Sequence, residues 1–214
     1  MKFIKYMLIM ASLVPSAGIM AATPAVPAVG GNPTGTVKIN GVIRTSTCSI
    51  GSPSTTDVVF NISKADISAA APGDLLTKAL PVTIHVSSCN NTALGMTVTA
   101  SVSDASSPTH GAFGSWRDPD PRDPDPQDPN HALYYLVSLK DDPVVSGGDT
   151  ATDPGYHILK VNGTASPIII KDTSGSGEFD LSLVTKVARS QYTFSPDKLK
   201  SVLHTAYYYT FTYV

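Results

Sequence analysis

The stretch from Thr34 to Ile50, TGTVKINGVIRTSTCSI, restricts more than any other what this chain can become. Gly35, Val37 and Ile39 fall on one face and Thr36, Lys38 and Asn40 on the other, shortly ahead of Cys48, one of only two cysteines. Period-two alternation of this kind marks a strand with one face buried. A leader of Pro, Gly and small residues precedes it and offers nothing to pack against. The strand therefore reads as an arm whose apolar face needs a groove supplied from elsewhere. The same residues also fit an ordinary first strand with Asn40-Gly41 as a two-residue hairpin turn, and spacing by itself admits both readings.

Residues 1–22 carry the pattern of a secretory signal peptide. Lys2 and Lys5 form a positive start, Tyr6 to Val14 an apolar run too short to span a bilayer, and Met20-Ala21-Ala22 a small-residue cleavage site. Export is expected, and about 190 of the 214 residues then remain, enough for one domain with a real core. Cys48 and Cys89 would meet an oxidising compartment, with no Cys-x-x-Cys or His pair nearby to suggest a metal, so a disulfide between them is expected.

The rest of the chain reads as all-β. Asp57 to Ile62, Leu80 to Val86, Gly95 to Val102, Ala132 to Lys140, Tyr156 to Val161 and Ser166 to Lys171 are short runs rich in strand formers, separated by Gly, Pro, Asn and Asp clusters. Ala69 to Gly73 reads as a loop, and Asn162-Gly163 as a tight turn. Phe179 to Ala188 alternates through Leu183 and then slips phase near Val184, as a bulge would cause. Ser195-Pro196-Asp197 followed by Lys198-Leu199-Lys200 has the form of a capped helical turn. At the end, Tyr207, Tyr209, Phe211 and Tyr213 share one face of an alternating strand, with Tyr208, Thr210 and Thr212 on the other. Termini usually fray, so an aromatic strand in the last residues is a strong signal.

One segment breaks the pattern. Residues 116–130 repeat Asp-Pro, which fixes φ at each proline, removes backbone donors and extends the residue before it. A stiff, exposed loop is expected. Its five aspartates lie along an extended rod without the glycine that lets a calcium loop wrap its ion, so a calcium site is the weakest reading; an exposed recognition or antigenic loop is another, and a tolerated insertion the best.

Function classes narrow accordingly. The formal net charge is -2 with no basic patch, which argues against nucleic acid. There is no Gly-x-Ser-x-Gly, His-Glu-x-x-His or phosphate loop, and His85, His110, His131, His157 and His204 are scattered without ligand spacing. No enzyme, metal or cofactor is expected. His85 sits on the polar face of its strand, as a solvent-facing residue and not a ligand.

The order Gly35-Thr-Val37-x-Ile39-x-Gly41-x-Ile43, then polar residues, then Cys48-Ser-Ile50, resembles the N-terminal extension and first strand of pilins assembled by the chaperone-usher pathway, the family of type 1 and related fimbriae. The last strand is similar to the C-terminal strand of those pilins, with Tyr213 as the penultimate tyrosine, although Ser201 stands where the family often has a glycine. The cysteine spacing also suits that family.

The resemblance implies an incomplete immunoglobulin-like β-sandwich, with residues 23–44 as extension and donor strand and 45–214 as the pilin domain. It implies a hydrophobic groove open beside the C-terminal strand, whose edge carries Tyr207, Tyr209, Phe211 and Tyr213. A periplasmic chaperone would fill that groove first. At the outer-membrane usher the arm of a neighbouring pilin subunit would replace it, with Val37 and Ile39 entering pockets and Gly35 and Gly41 lying where the groove is tight. The expected product is a surface fimbria supporting adhesion, with this chain as a shaft subunit. The other reading is a secreted immunoglobulin-like binding module that completes its own sheet with residues 34–43.

Overall fold

The computed structural model describes residues 34–43, 48–90, 92–104, 107–113, 132–192 and 202–214. The expected signal peptide at 1–22, the Asp-Pro segment 116–130, the expected helical turn at 195–200, and Ser201 lie outside the described residues.

Two sheets face each other, as the alternating runs predict. The strands are β1 (Thr34–Ile43), β2 (Ser49–Pro53), β3 (Asp57–Asn61), β4 (Leu80–Ser87), β5 (Ala93–Ala100), β6 (Gly111–Ala112), β7 (Leu133–Lys140), β8 (Val145–Gly147), β9 (Tyr156–Ile158), β10 (Asn162–Ala165), β11 (Ile168–Lys171), β12 (Phe179–Arg189) and β13 (Val202–Tyr213), with one short helix, α1 (Lys64–Ala69). The first sheet runs β3-β1-β13-β5-β11-β8, with β10 also on β5; the second runs β2-β4-β12-β7-β6, with β9 also on β7. The inward residues of both sheets, among them Val37, Ile39, Val82, Ile84, Met96, Val98, Leu139, Leu181, Tyr207 and Phe211, make one continuous core. This is an all-β sandwich, and β1 completes its first sheet within the chain. The incompleteness expected of the fold thus describes what the domain would be without β1.

Several local expectations turn out differently. Asn40 and Gly41 form no hairpin turn; the strand runs straight through them, opposite Tyr208 and Tyr209. Gly163 has φ +82° and bends β10, whose pairing with β5 shifts register there, so this glycine serves an irregular strand instead of a two-residue turn. The helix α1 was not expected. Its signal is Ser63 three residues before Asp66: the Ser63 side chain accepts a 2.9 Å bond from the Asp66 N–H, capping the first turn, while Ile67 is buried beneath it.

The phase slip in β12 is not a bulge. Its registers with β4 and β7 run without a shift from Phe179 to Arg189. From Leu183 to Ala188 every residue is buried because the strand is covered on both faces. Leu183 and Val187 face the sandwich core. On the opposite face, Leu75 bridges to Ala188, and Lys186 is enclosed by Asp153 and the Tyr156 ring. Lys186 Nζ donates to both Asp153 oxygens at 2.8 and 2.7 Å and stands 3.4 Å from the Tyr156 ring centroid. Removing one partner of a buried pair leaves the other charge uncompensated. Asp153→Ala is therefore expected to destabilise the domain by about 3 kcal/mol, read as a lower urea midpoint with unchanged slope. An unchanged midpoint would show that water reaches Lys186.

Candidate functional site

Nothing about β1 is peripheral once the sheet is assembled. It lies between β3 and β13, antiparallel to β3 with Thr34 opposite Asn61, and parallel to β13 from Thr34 opposite Val202 to Ile43 opposite Phe211. Val37 and Ile39 are 0% and 1% exposed and belong to the common core, whereas Lys38 and Asn40 face solvent. Gly35 and Gly41 lie where aromatic rings cross the strand. A methyl group at Gly35 would run into the Phe60 ring, and one at Gly41 into the Tyr209 ring. The two glycines thus bracket two aliphatic side chains on the same face.

The groove is built largely from aromatic residues. Phe60 meets Phe113 edge to face at 5.4 Å, Phe113 meets Tyr135 at 5.6 Å, and Tyr135 stacks with Tyr207 at 6.1 Å. Tyr209 and Phe211 pair edge to face at 5.6 Å. Each such pair adds to the burial of large apolar area. Where phenols are buried they find partners: the Tyr135 hydroxyl donates to the Ala206 carbonyl at 3.2 Å, and the Tyr207 hydroxyl lies 3.2 Å from Thr185 Oγ1.

Burial raises the pKa of Tyr135, Tyr207 and Tyr209 above the ordinary tyrosine value. The folded state then holds its phenolic protons where the unfolded chain, titrating near 10, releases them. Stability is fully present below about pH 10 and falls as pH rises above it. Alkaline titration should therefore show the phenolate absorbance of these tyrosines appearing together with loss of the folded circular dichroism signal. Ionisation well before unfolding would place the phenols in water.

The terminal residues are tied to the disulfide. Cys48 and Cys89 are bonded, with Cα atoms 4.6 Å apart, and the Cys48 N–H donates to the Tyr213 hydroxyl at 3.1 Å. Tyr213 itself is 41% exposed, unlike Tyr207, Tyr209 and Phe211, which are 0%, 3% and 0% exposed. Of the residues predicted for the site, the structure thus brings Gly35, Val37, Ile39 and Gly41 together with Tyr207, Tyr209 and Phe211 along one strand pair, with Tyr213 beyond its open end. Phe60 and Phe113 belong to the same site and were missed. In the sequence Phe60 reads only as part of a strand, and nothing in sequence spacing reveals which strand flanks another across a sheet.

Elsewhere a cavity of about 370 Å³ is lined by Asp104, His110, Tyr134 and Arg189 among others. His110 stacks on Tyr134 at 3.9 Å, with its Nδ1 3.6 Å from Asp104, and burial holds its imidazole below the ordinary histidine range. His85 is exposed and bonds Asp180 at 2.8 Å. Among the described residues, no group of three or more His, Cys, Asp or Glu side chains could hold a metal ion.

No family model matches the chain, and no curated protein matches it. Among solved structures it is similar to the P pilus rod subunit PapA, at 15% identity over 79% of this chain and 100% of that one, with a TM-score of 0.49. It is also similar to the CupB6 tip adhesin from Pseudomonas aeruginosa, at 13% identity over 69% of this chain, with a TM-score of 0.34. The chain spans 36% of that adhesin's length. At this identity and overlap neither likeness assigns a role to a residue.

Proposed function

We propose that this chain is a structural subunit of a surface fimbria that polymerises by donor-strand exchange after chaperone-assisted folding, and so supports adhesion. The observation that carries the reading is β1. The segment whose Gly-Val-Ile-Gly face resembles a pilin donor strand is also a discrete strand filling a slot between β3 and β13. In this reading a periplasmic chaperone occupies the slot first, and at an outer-membrane usher a neighbouring subunit's β1 takes it over. Gly35, Val37, Ile39 and Gly41 act as the donor face; Tyr207, Tyr209, Phe211 and Tyr213 act as the receiving edge. Each buried aliphatic side chain contributes about 1.5–3 kcal/mol and each backbone bond about 0.5–1.5 kcal/mol net, enough together to offset ordering the arm. Such a contact is head-to-tail and does not close on itself, so it builds a fibre at the cell surface. The chain is not an enzyme in this reading and uses no cofactor.

The second reading, a secreted self-complete immunoglobulin-like module, has one specific observation in its favour: β1 sits in its own chain's slot. Refolding the full mature chain from denaturant at increasing concentration separates the two. The fimbrial reading expects a ladder of oligomers that survives detergent and resolves to monomer only on strong heating. A monomer at every concentration would favour the module.

A further inference from the structure

We infer that the outer face of the second sheet carries a binding cleft for a neutral oligosaccharide, with the stacked His110–Tyr134 pair as its platform. The cleft belongs to the single domain, lies across the core from the slot, and does not depend on strand exchange.

Alternation along β7 creates the floor. Leu133, Tyr135, Val137 and Leu139 belong to the core, so Tyr134 and Leu136 lie on the opposite face. There Tyr134 stands opposite Ala188 and Leu136 opposite Lys186. β4 stops pairing with β12 where Leu80 meets Thr185, and residues 73–76 take over its place. The Gly73 and Leu76 N–H groups donate to the Arg189 and Val187 carbonyls at 2.8 Å each, and the Arg189 N–H donates to the Asp74 carbonyl at 2.9 Å. This segment is one wall. The turn from Asp104 to His110 is another, closed by the Asp104 N–H donating to the His110 carbonyl at 3.0 Å. Asp149 and Ile158 bound a third side, joined by a 3.1 Å bond from the Ile158 N–H to the Asp149 carbonyl. Walls fixed by backbone hydrogen bonds need little ordering when a ligand arrives.

Two cavities adjoin on this floor. One, of about 370 Å³, reaches Ser107, Gln191 and Tyr192; the other, of about 380 Å³, reaches Thr109, Leu136, Asp149 and Thr152. Gly73, His110 and Tyr134 line both. Each lies within the range of small-molecule sites, about 300–1,000 Å³. The shared aromatic pair, 3.9 Å apart and 18° from parallel, thus joins two subsites, as two linked sugar rings require.

Charge selects a neutral ligand. An anion would meet Asp104, Asp149 and Asp153, while the Arg189 guanidinium already donates to the Ala132, Ser190 and Tyr192 carbonyls. A cation would find Asp153 bonded to Lys186, and Asp149 accepting from the Ala151 N–H at 2.9 Å. Burial keeps the His110 imidazole below the ordinary histidine range, so it is uncharged at neutral pH. What remains is a set of groups suited to hydroxyls. Ser107, Thr109, Thr152 and Gln191 can each donate and accept, and carboxylates accept, which matches a ligand whose every hydroxyl does both. A wholly apolar ligand would leave those groups without partners. Tyrosine offers an apolar ring with a polar tip, which suits the C–H face and hydroxyl rim of a pyranose.

A strand entering the slot leaves this face uncovered. If subunits join as proposed above, one cleft per subunit along a fibre turns a weak contact into avidity.

The isotope-labelled mature chain tests the cleft directly. It is titrated with maltose, cellobiose, lactose and N,N′-diacetylchitobiose, and separately with sialyllactose, a heparin disaccharide and putrescine, each to about 20 mM, which reveals millimolar binding. At least one neutral disaccharide should shift the amide signals of His110, Tyr134 and Gln191 to saturation. Tyr134→Ala should weaken that binding at least about tenfold, through loss of the platform. Gln191→Ala and Thr152→Ala should each weaken it about threefold, as loss of one hydrogen bond does. Both positions are exposed, so folding is not at stake in these two variants. Thr99→Ala, on the outer face of the first sheet, should bind as the wild type does. The inference is overturned if no neutral disaccharide shifts these signals, if only the charged probes do, if the shifts gather elsewhere, or if Gln191→Ala and Thr152→Ala both bind unchanged. None of these results bears on strand exchange, because the slot lies on the other side of the core.

Discussion

Ile39→Asp is expected to abolish incorporation into a fibre while leaving capture by a periplasmic chaperone at wild-type yield. Ile39 is 1% exposed at the centre of β1, with Val37 beside it at 0%. Replacing it removes about 1.5–3 kcal/mol of aliphatic burial and places a carboxylate where no partner waits, at a further cost of several kcal/mol. The sum, about 5 kcal/mol or more, approaches the whole stability of an ordinary domain. Without a chaperone the isolated variant should therefore lose its thermal transition or show it far below that of the wild type. With a chaperone the slot is filled by another strand, β1 is not needed, and the folded subunit should be recovered in complex. The self-complete module predicts loss of the folded chain under both conditions. Co-purification yield and polymer assay on this one variant distinguish them, and failure to recover any chaperone complex would refute the donor-strand reading.

Cys89→Ser is expected to be the other severe change. Cys89 is fully buried, and its bond to Cys48 spans 41 residues of sequence. On the chain-entropy account, closing a loop of that length stabilises by about 4 kcal/mol. The bridge also positions what surrounds it. The Cys89 N–H donates to the Gly177 carbonyl at 3.0 Å, in a turn that Asp172 closes by accepting from the Gly177 N–H at 2.6 Å, and the Cys48 N–H holds the Tyr213 hydroxyl. Loss of the bridge would loosen the start of β2 and the end of β13 together. The variant should fail to accumulate after export, and the reduced wild-type chain should unfold at markedly lower urea than the oxidised one. Coincident urea curves with and without reductant would show that the disulfide is dispensable.

Much of the architecture was written locally. Strand alternation depends on neighbours two residues apart, so the inward faces of β1, β3, β4 and β13 could be read from Val37 and Ile39, Val58 and Phe60, Val82 and Ile84, and Tyr207 and Phe211. A disulfide is expected because two cysteines have few other fates in a chain whose start reads as an export signal. Where burial came from both sides, the same reasoning misled. The run from Leu183 to Ala188 looked like a slipped phase because alternation presumes one wet face, and here a loop through Leu75 and the Asp153–Lys186 pair cover the second.

By itself, then, the sequence determined that the chain is a sandwich of alternating strands, that β1 carries a Gly-Val-Ile-Gly face in need of a slot, and that the last strand is aromatic on one side. Only the tertiary structure decided where that slot is, that Phe60 and Tyr209 cap its glycines, and that in the single chain β1 fills it parallel to β13. The physical reason is that a period-two pattern specifies which face of a strand is buried and says nothing of its neighbours. Pairing and direction depend on ladders between residues far apart in sequence.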